Sequence, residues 1–193
     1  QLREWSRIHR TTLVMSIFTA YVALVMRWCH VSEAVLQFQS NNRNSTKIEN
    51  TIGYFSSRLF LRIGILPNDT FISLLQRITA EYCRADEHAD FGYLEAQSPQ
   101  PEFARNSMFN WVPQGPDVIA ASETEPQRSL TFSHVPFEYL ALRDFELDYE
   151  PSILLYDSPR EVTGAVQFPM SKHSHEAMAG LGRAFLRFIE AML

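Results

Sequence analysis

An almost unbroken apolar run from Leu13 to Met26, interrupted only by Ser16, Thr19 and Tyr21, limits what this chain can fold into. It lies between Arg10 and Arg27 and falls short of the ~20 residues a helix needs to span a bilayer. Val14, Ile17, Phe18, Tyr21, Leu24, Val25 and Trp28 recur at helical spacing, and the rest of that helix is still mostly apolar. Such a helix must be covered on several faces by other elements. The chain can supply that cover, having 193 residues of which 46% are hydrophobic and 20% charged. Those values suit one well-packed domain and exclude a disordered tail or a fibrous repeat.

The formal net charge is −5, with Lys and Arg scattered rather than striped, so neither nucleic acid nor an anionic membrane is the expected partner. The polar opening Gln1-Leu2-Arg3-Glu4, with no cleavage pattern after the apolar run, argues against a secretory signal. Cys29 and Cys83 sit in helical stretches without metal-type spacing. The expectation is buried, reduced thiols in a cytoplasmic protein. The absence of an initiator Met fits a piece of a longer polypeptide and fits processing equally well.

Thr11-Thr12 supplies an N-cap for the apolar helix. A short strand is expected over Ala34–Gln39, followed by a polar loop, Ser40-Asn41-Asn42-Arg43-Asn44-Ser45. Ser57 to Ile65 alternates as a strand, and Pro67-Asn68-Asp69 ends it and starts a helix whose Phe71, Leu74, Leu75, Ile78 and Tyr82 share one face. Gln97–Pro101 reads as a linker, Met108–Val112 as a strand, and Asp117–Gln127 as an exposed loop or crossing segment. Further strands are expected at Leu130–Ser133, Phe145–Tyr149, Ile153–Tyr156 and Val162–Phe168. A closing amphipathic helix carries Met178, Leu181, Phe185, Phe188, Ile189 and Met192. Together these predict an α/β fold, a sheet with helices packed on it.

The sequence holds no G-x-S-x-G elbow, P-loop, G-x-G-x-x-G, H-E-x-x-H or C-x-x-C. His173 and His175 would pair on a metal only if extended; at a helix start their spacing turns them apart, and a polar helix entry is the reading adopted. His88, close to Asp86, Glu87 and Asp90, has the neighbours a general acid or base needs, although helix-end polar clusters are usually solvated. Arg43 and Arg62 are candidate clamps for a phosphate or carboxylate, against ordinary surface ion pairs.

Several segments, taken in order, resemble the condensation domains of nonribosomal peptide synthetases. Asn41-Asn42-Arg43 with Glu49 resembles that family's A-N-R…E loop, and the helix Thr12–Trp28 its T-x-x-x-x-L-x-A-A-x-x-L-L-x-R helix. The stretch from Ile52 to Arg62 (Ile-Gly-Tyr-Phe-Ser-Ser-Arg-Leu-Phe-Leu-Arg) resembles I/V-G-x-F-V-N-T-L-P-L-R, and Phe71–Tyr82 resembles F-x-x-L-L-x-x-V. His88-Ala89-Asp90-Phe91-Gly92-Tyr93 stands where H-Q-D-x-P-F belongs. Arg105-Asn106-Ser107-Met108-Phe109 resembles S-R-N-P-L-F, and Val166-Gln167-Phe168 with the closing helix resembles the family's strand end and terminal helix. His134-Val135-Pro136-Phe137-Glu138 matches H-x-x-P-F-E in letters but falls after Arg105-Asn106, out of order, and is taken as chance.

The resemblance implies one complete lobe of 1–193, the C-terminal half of a condensation domain, in which two lobes like chloramphenicol acetyltransferase enclose a substrate tunnel. It implies a chloramphenicol acetyltransferase-like α/β lobe with a mixed β-sheet covered by helices. It also implies a crossing segment within Gln97–Gln127, and contacts to an N-terminal lobe and to acyl or peptidyl carrier proteins. The phosphopantetheine arms of those carriers would enter as substrates, with no cofactor bound directly. The tunnel-facing residues implied are Arg43, Ser57, Arg62, His88, Asp90 and Arg105.

The catalytic H-H-x-x-x-D-G string of the family belongs to the other lobe and does not occur here, so the chain alone is expected to be inactive. Ser56-Ser57-Arg58 replaces V-N-T, putting a hydroxyl where an amide would line the tunnel; Phe60, Gly92 and Ser107 replace prolines, and Phe38-Gln39 a G-x-P turn. These departures keep a second expectation open, a noncatalytic domain that recruits a carrier or enzyme partner.

Overall fold

The computed structural model describes residues 1–43, 45–48, 51–89, 107–113, 129–132, 135–138 and 151–193, and the statements below concern those residues. In chain order the elements are α1 (Leu2–Ile8), α2 (Leu13–Trp28), β1 (Glu33–Ser40), β2 (Ser57–Gly64), α3 (Phe71–Asp86) and β3 (Met108–Pro113). Then come β4 (Ser129–Phe132), β5 (Val135–Glu138), β6 (Ser152–Asp157), β7 (Val162–Gln167) and α4 (His175–Met192). Five strands form a mixed sheet in the order β2-β1-β3-β6-β7. The inner strands β1, β3 and β6 are parallel, and β2 and β7 flank them antiparallel.

The helix α2 lies at the centre. Thr12 caps it, its hydroxyl accepting from the Met15 N–H at 3.2 Å, and nearly every residue from Met15 to Met26 is buried. It packs on β1 and β3 and touches α1, α3 and α4. The strands point Leu36, Phe38, Leu59, Leu61, Ile63, Phe109, Ile153 and Leu155 into this core. At its heart Phe18 meets Phe38 edge-on with centroids 5.1 Å apart, and Phe109 at 5.0 Å. The buried Tyr21 hydroxyl hydrogen-bonds the Ser107 hydroxyl and donates to the Pro151 carbonyl at 3.2 Å, tying α2 to the residues preceding β3 and β6.

Thr70 starts α3 through a capping box with Ser73, so Asp69, one residue earlier, is released for another role. Its carboxylate accepts from the Leu66 N–H at 2.7 Å, the Ser73 hydroxyl at 2.9 Å and both arms of Arg77 at 2.7 and 2.6 Å. The ionic and hydrogen-bonding donors hold this carboxyl well below the usual carboxylate range, Arg77 contributing most.

Three features depart from the sequence expectations. Residues 2–8 are helical: Leu2 and Trp5 pack against the core, Trp5 meeting Phe71 edge-on at 5.6 Å, while Arg3 pairs with Asp157 and the Ser6 and Ser16 hydroxyls meet at 2.9 Å. Val135–Glu138, inside the stretch set aside as a chance match, is a strand paired antiparallel with β4. Both cysteines are exposed rather than buried: Cys29 caps the end of α2, and Cys83 lies on the outer side of α3. Of 97–127, residues 108–113 form a central strand; the expected linker, the loop at 117–127 and the strand at 145–149 lie outside the described residues. No single helix among the described residues is long and apolar enough to cross a membrane, and α1 and α2 are bent by 100° at their junction.

Candidate functional site

Because β1, β3 and β6 are parallel, their C-terminal ends lie at one edge of the sheet, the edge where open α/β sheets gather ligands. β2 begins at the same edge, since Ser57 pairs with Ser40, the last residue of β1. The helix α3 also ends there: the Ser57 hydroxyl donates to the Ala89 carbonyl at 2.8 Å. The stretch Ile52–Arg62 and the described residues His88-Ala89, far apart in sequence, are thereby brought together.

Two further hydroxyls join this edge. Tyr82, on α3, hydrogen-bonds Ser40, and its half-buried phenol is shifted upward chiefly by burial. The Asn42 N–H donates to the Ser40 hydroxyl at 3.2 Å. Sequence reasoning placed Tyr82 only on an apolar helix face and did not single out Ser40. The signal was there in part: Tyr brings a hydroxyl that a core position cannot leave without a partner.

The connection 41–56 joins β1 to β2. Arg43 crosses it, with Nη1 donating to the carbonyls of Ile48 at 2.6 Å and Thr51 at 2.9 Å. Its Nη2 donates to the Gly53 carbonyl at 3.3 Å, and the guanidinium lies 4.6 Å from the centre of the Phe55 ring. Gly53 permits this close packing, since a Cβ there would come within 3.1 Å of the Phe55 ring. Arg43 is therefore engaged in shaping its own loop.

The other candidate residues are dispersed. The Arg62 side chain projects from β2 on the face away from the helices, alternating with buried Leu61 and Ile63, and forms an exposed ion pair with Glu33. His88 is exposed in the turn that ends α3, and its backbone N–H donates to the Ala85 carbonyl at 3.1 Å. Asp90 and Arg105 lie outside the described residues. Arg43, Ser57 and His88 thus share one edge, and Arg62 is separated from them.

Among the described residues no group of three or more His, Cys, Asp or Glu side chains could hold a metal. At the start of α4, Ser174 caps the helix by accepting from the Ala177 N–H at 3.2 Å, and His175 packs edge-on against Phe168 at 5.3 Å. This is the polar helix entry. At the opposite edge of the sheet, a groove of about 970 Å³ is lined by Arg27, His30, Ile65, Asp69, Phe71 and Phe188.

The Condensation domain family matches residues 1–192. A linear gramicidin synthase of Brevibacillus parabrevis is 33% identical over 93 residues, 47% of this chain and 2% of that protein. Tyrocidine synthase 3 of the same organism is 23% identical over 186 residues, 93% of this chain and 3% of that protein. The chain also superposes on the condensation domain that mediates chain release from the enacyloxin polyketide synthase, with a TM-score of 0.74 at 13% identity. That likeness covers all of this chain and 38% of the other. The condensation domain of the monacolin K polyketide synthase gives a TM-score of 0.72 at 22% identity, covering 99% of this chain and 43% of that one. The chain thus spans less than half the length of these solved structures and a few per cent of the synthetases. The ordered motifs, the mixed sheet with its central buried helix and the family match over nearly every residue agree: this chain belongs to the Condensation domain family.

Proposed function

We propose that the chain is the C-terminal lobe of a condensation-type acyltransferase domain, forming a tunnel wall and carrier-protein contacts for amide or ester formation between carrier-bound substrates. The observation that carries this reading is the convergence of the Arg43 loop, Ser57, Ala89 and His88 at the C-terminal edge of the parallel strands. In the reaction, an acceptor amine or hydroxyl attacks the donor thioester carbonyl; the new C–N or C–O bond forms, the C–S bond breaks and the carrier thiol leaves with the proton. The group that assists the attack belongs to the H-H-x-x-x-D-G motif of the complementary lobe. This lobe contributes positioning, which converts a bimolecular encounter into a reaction within one complex. Ser57, His88, Asp90 and Arg105 are assigned to the tunnel side, and the phosphopantetheine arms of acyl and peptidyl carriers supply the substrates.

The test uses acyl-carrier and aminoacyl-carrier substrates with the chain alone and with the segment that completes the domain. Condensation is expected only when both lobes are present, and turnover by the chain alone overturns the division of roles. A second reading, a noncatalytic domain that recruits carriers or enzymes, is favoured by the commitment of Arg43 and Ser57 to backbone carbonyls of their own lobe. It predicts carrier binding without turnover even when the domain is complete.

A further inference from the structure

The connection between β1 and β2, residues 41–56, is far longer than a hairpin needs, and connections beyond ~12–15 residues are usually functional. Arg43 holds its return limb through three backbone carbonyls and Phe55. Between those fixed points, Ile52 and Tyr54 stand out into solvent, 91% and 86% exposed. Two large, exposed side chains two residues apart on a backbone pinned to either side form an anchor whose main chain is set before any partner arrives, which lowers the ordering cost of association.

We infer that Ile52 and Tyr54 are docking anchors for the complementary lobe of the condensation domain, and that Arg43 is the positioning residue that presents them. The inference rests on the reading of this chain as one lobe. Two observations identify the occupant. The solved condensation domains extend well beyond the part this chain covers, which is 38% of one and 43% of another. The anchors also project from the edge where the candidate tunnel residues Ser57 and His88 gather, the edge a partner lobe must face to close a tunnel. The guanidinium fork explains why Arg occupies the position: it serves several carbonyl acceptors at once from a planar group, which a Lys ammonium on a flexible stem does not reproduce.

The test is binding of the 193-residue chain to the segment that completes the domain in the same polypeptide, produced separately and followed by calorimetry. Ile52→Ser/Tyr54→Ser is expected to weaken binding by on the order of a hundredfold, with the melting temperature unchanged because both side chains are exposed. Arg43→Lys is expected to weaken it by about tenfold and to raise hydrogen exchange over residues 51–55 while the sheet amides stay protected. Placed on top of Ile52→Ser/Tyr54→Ser, Arg43→Lys is expected to add nothing, since it acts through those two residues. Equal affinity of wild type and Ile52→Ser/Tyr54→Ser overturns the inference and leaves the lobe assignment standing. A full additional loss from Arg43→Lys in that background overturns the positioning role. Failure of the wild-type chain to bind the complementary segment overturns the lobe assignment itself, and the inference with it.

Discussion

The Ser57 hydroxyl donates to the carbonyl of Ala89, 2.8 Å away, and this one bond joins the start of β2 to the turn that ends α3. It joins residues separated by 32 positions in sequence. Ser57→Ala leaves the Ala89 carbonyl without that donor and is expected to cost about 0.5–1.5 kcal/mol, the usual net worth of such a bond. Urea unfolding measures the cost. Hydrogen exchange at residues 86–89 should rise more than exchange in the sheet, because the bond restrains the helix end.

Tyr21 links the central helix to two strand entrances. Tyr21→Phe removes its bonds to Ser107 and Pro151 while preserving the ring contacts to Phe109 and Phe185, and is expected to cost about 1–3 kcal/mol. In a double-mutant cycle with Ser107→Ala the two losses should be less than additive, since they share one network. Burial raises the Tyr21 phenol well above its ordinary value. The folded state therefore keeps a proton that the unfolded state releases above about pH 10, so this contribution to stability is present below that pH and is lost as pH rises. An alkaline titration followed at the tyrosinate absorbance should show one phenol ionising only as the chain unfolds.

The Asp69–Arg77 pair gives the opposite pH dependence. Its carboxyl is depressed in the folded state, so the stabilisation is present above the unfolded carboxylate value near 4 and is lost as pH falls below it. Asp69→Asn should lower the melting temperature at pH 7 and remove the acid-side dependence that this pair contributes. Melting curves of the two proteins should converge as the pH is lowered; parallel curves at all pH values would refute the assignment.

Gly164 marks a close approach between β6 and β7. A Cβ at this position would fall 2.2 Å from the Leu154 carbonyl oxygen and 2.6 Å from the Leu155 side chain, so the strands must part to admit it. Gly164→Ala is expected to destabilise by about 1–3 kcal/mol, the range for overpacking. Chemical denaturation checks the size, and exchange of the β7 amides checks the place.

Arg62 and Glu33 form an exposed pair on the sheet face away from the helices. Arg62→Ala is expected to change stability by less than about 1 kcal/mol, as for surface ion pairs generally. A larger loss would show that this face is covered in the intact domain.

Elements whose signal is local could be read directly. The apolar circumference of Leu13–Trp28, the alternation in Ser57–Gly64 and the one-sided stripe of α4 each report the surface that the element must bury. The helix Leu2–Ile8 is too short for such a stripe to stand out; Leu2 and Trp5 pack it against the core, with Ser6–Ser16 and Arg3–Asp157 beside them. Val135–Glu138 contains Pro136, which argues against a strand until a partner strand is in view.

The candidate site divides in the same way. Periodicity and spacing by themselves determined the α/β layering, and the ordered motifs carried the family resemblance that singled out Arg43, Ser57, Arg62 and His88. Only the tertiary structure decided what those residues do: Arg43 binds the carbonyls of its own loop, Ser57 holds the end of α3, and Arg62 faces away from both. The reason is that a side chain's role is set by which acceptors lie within about 3 Å of it, and for residues 32 positions apart that distance is settled only when the sheet register and the helix packing are complete.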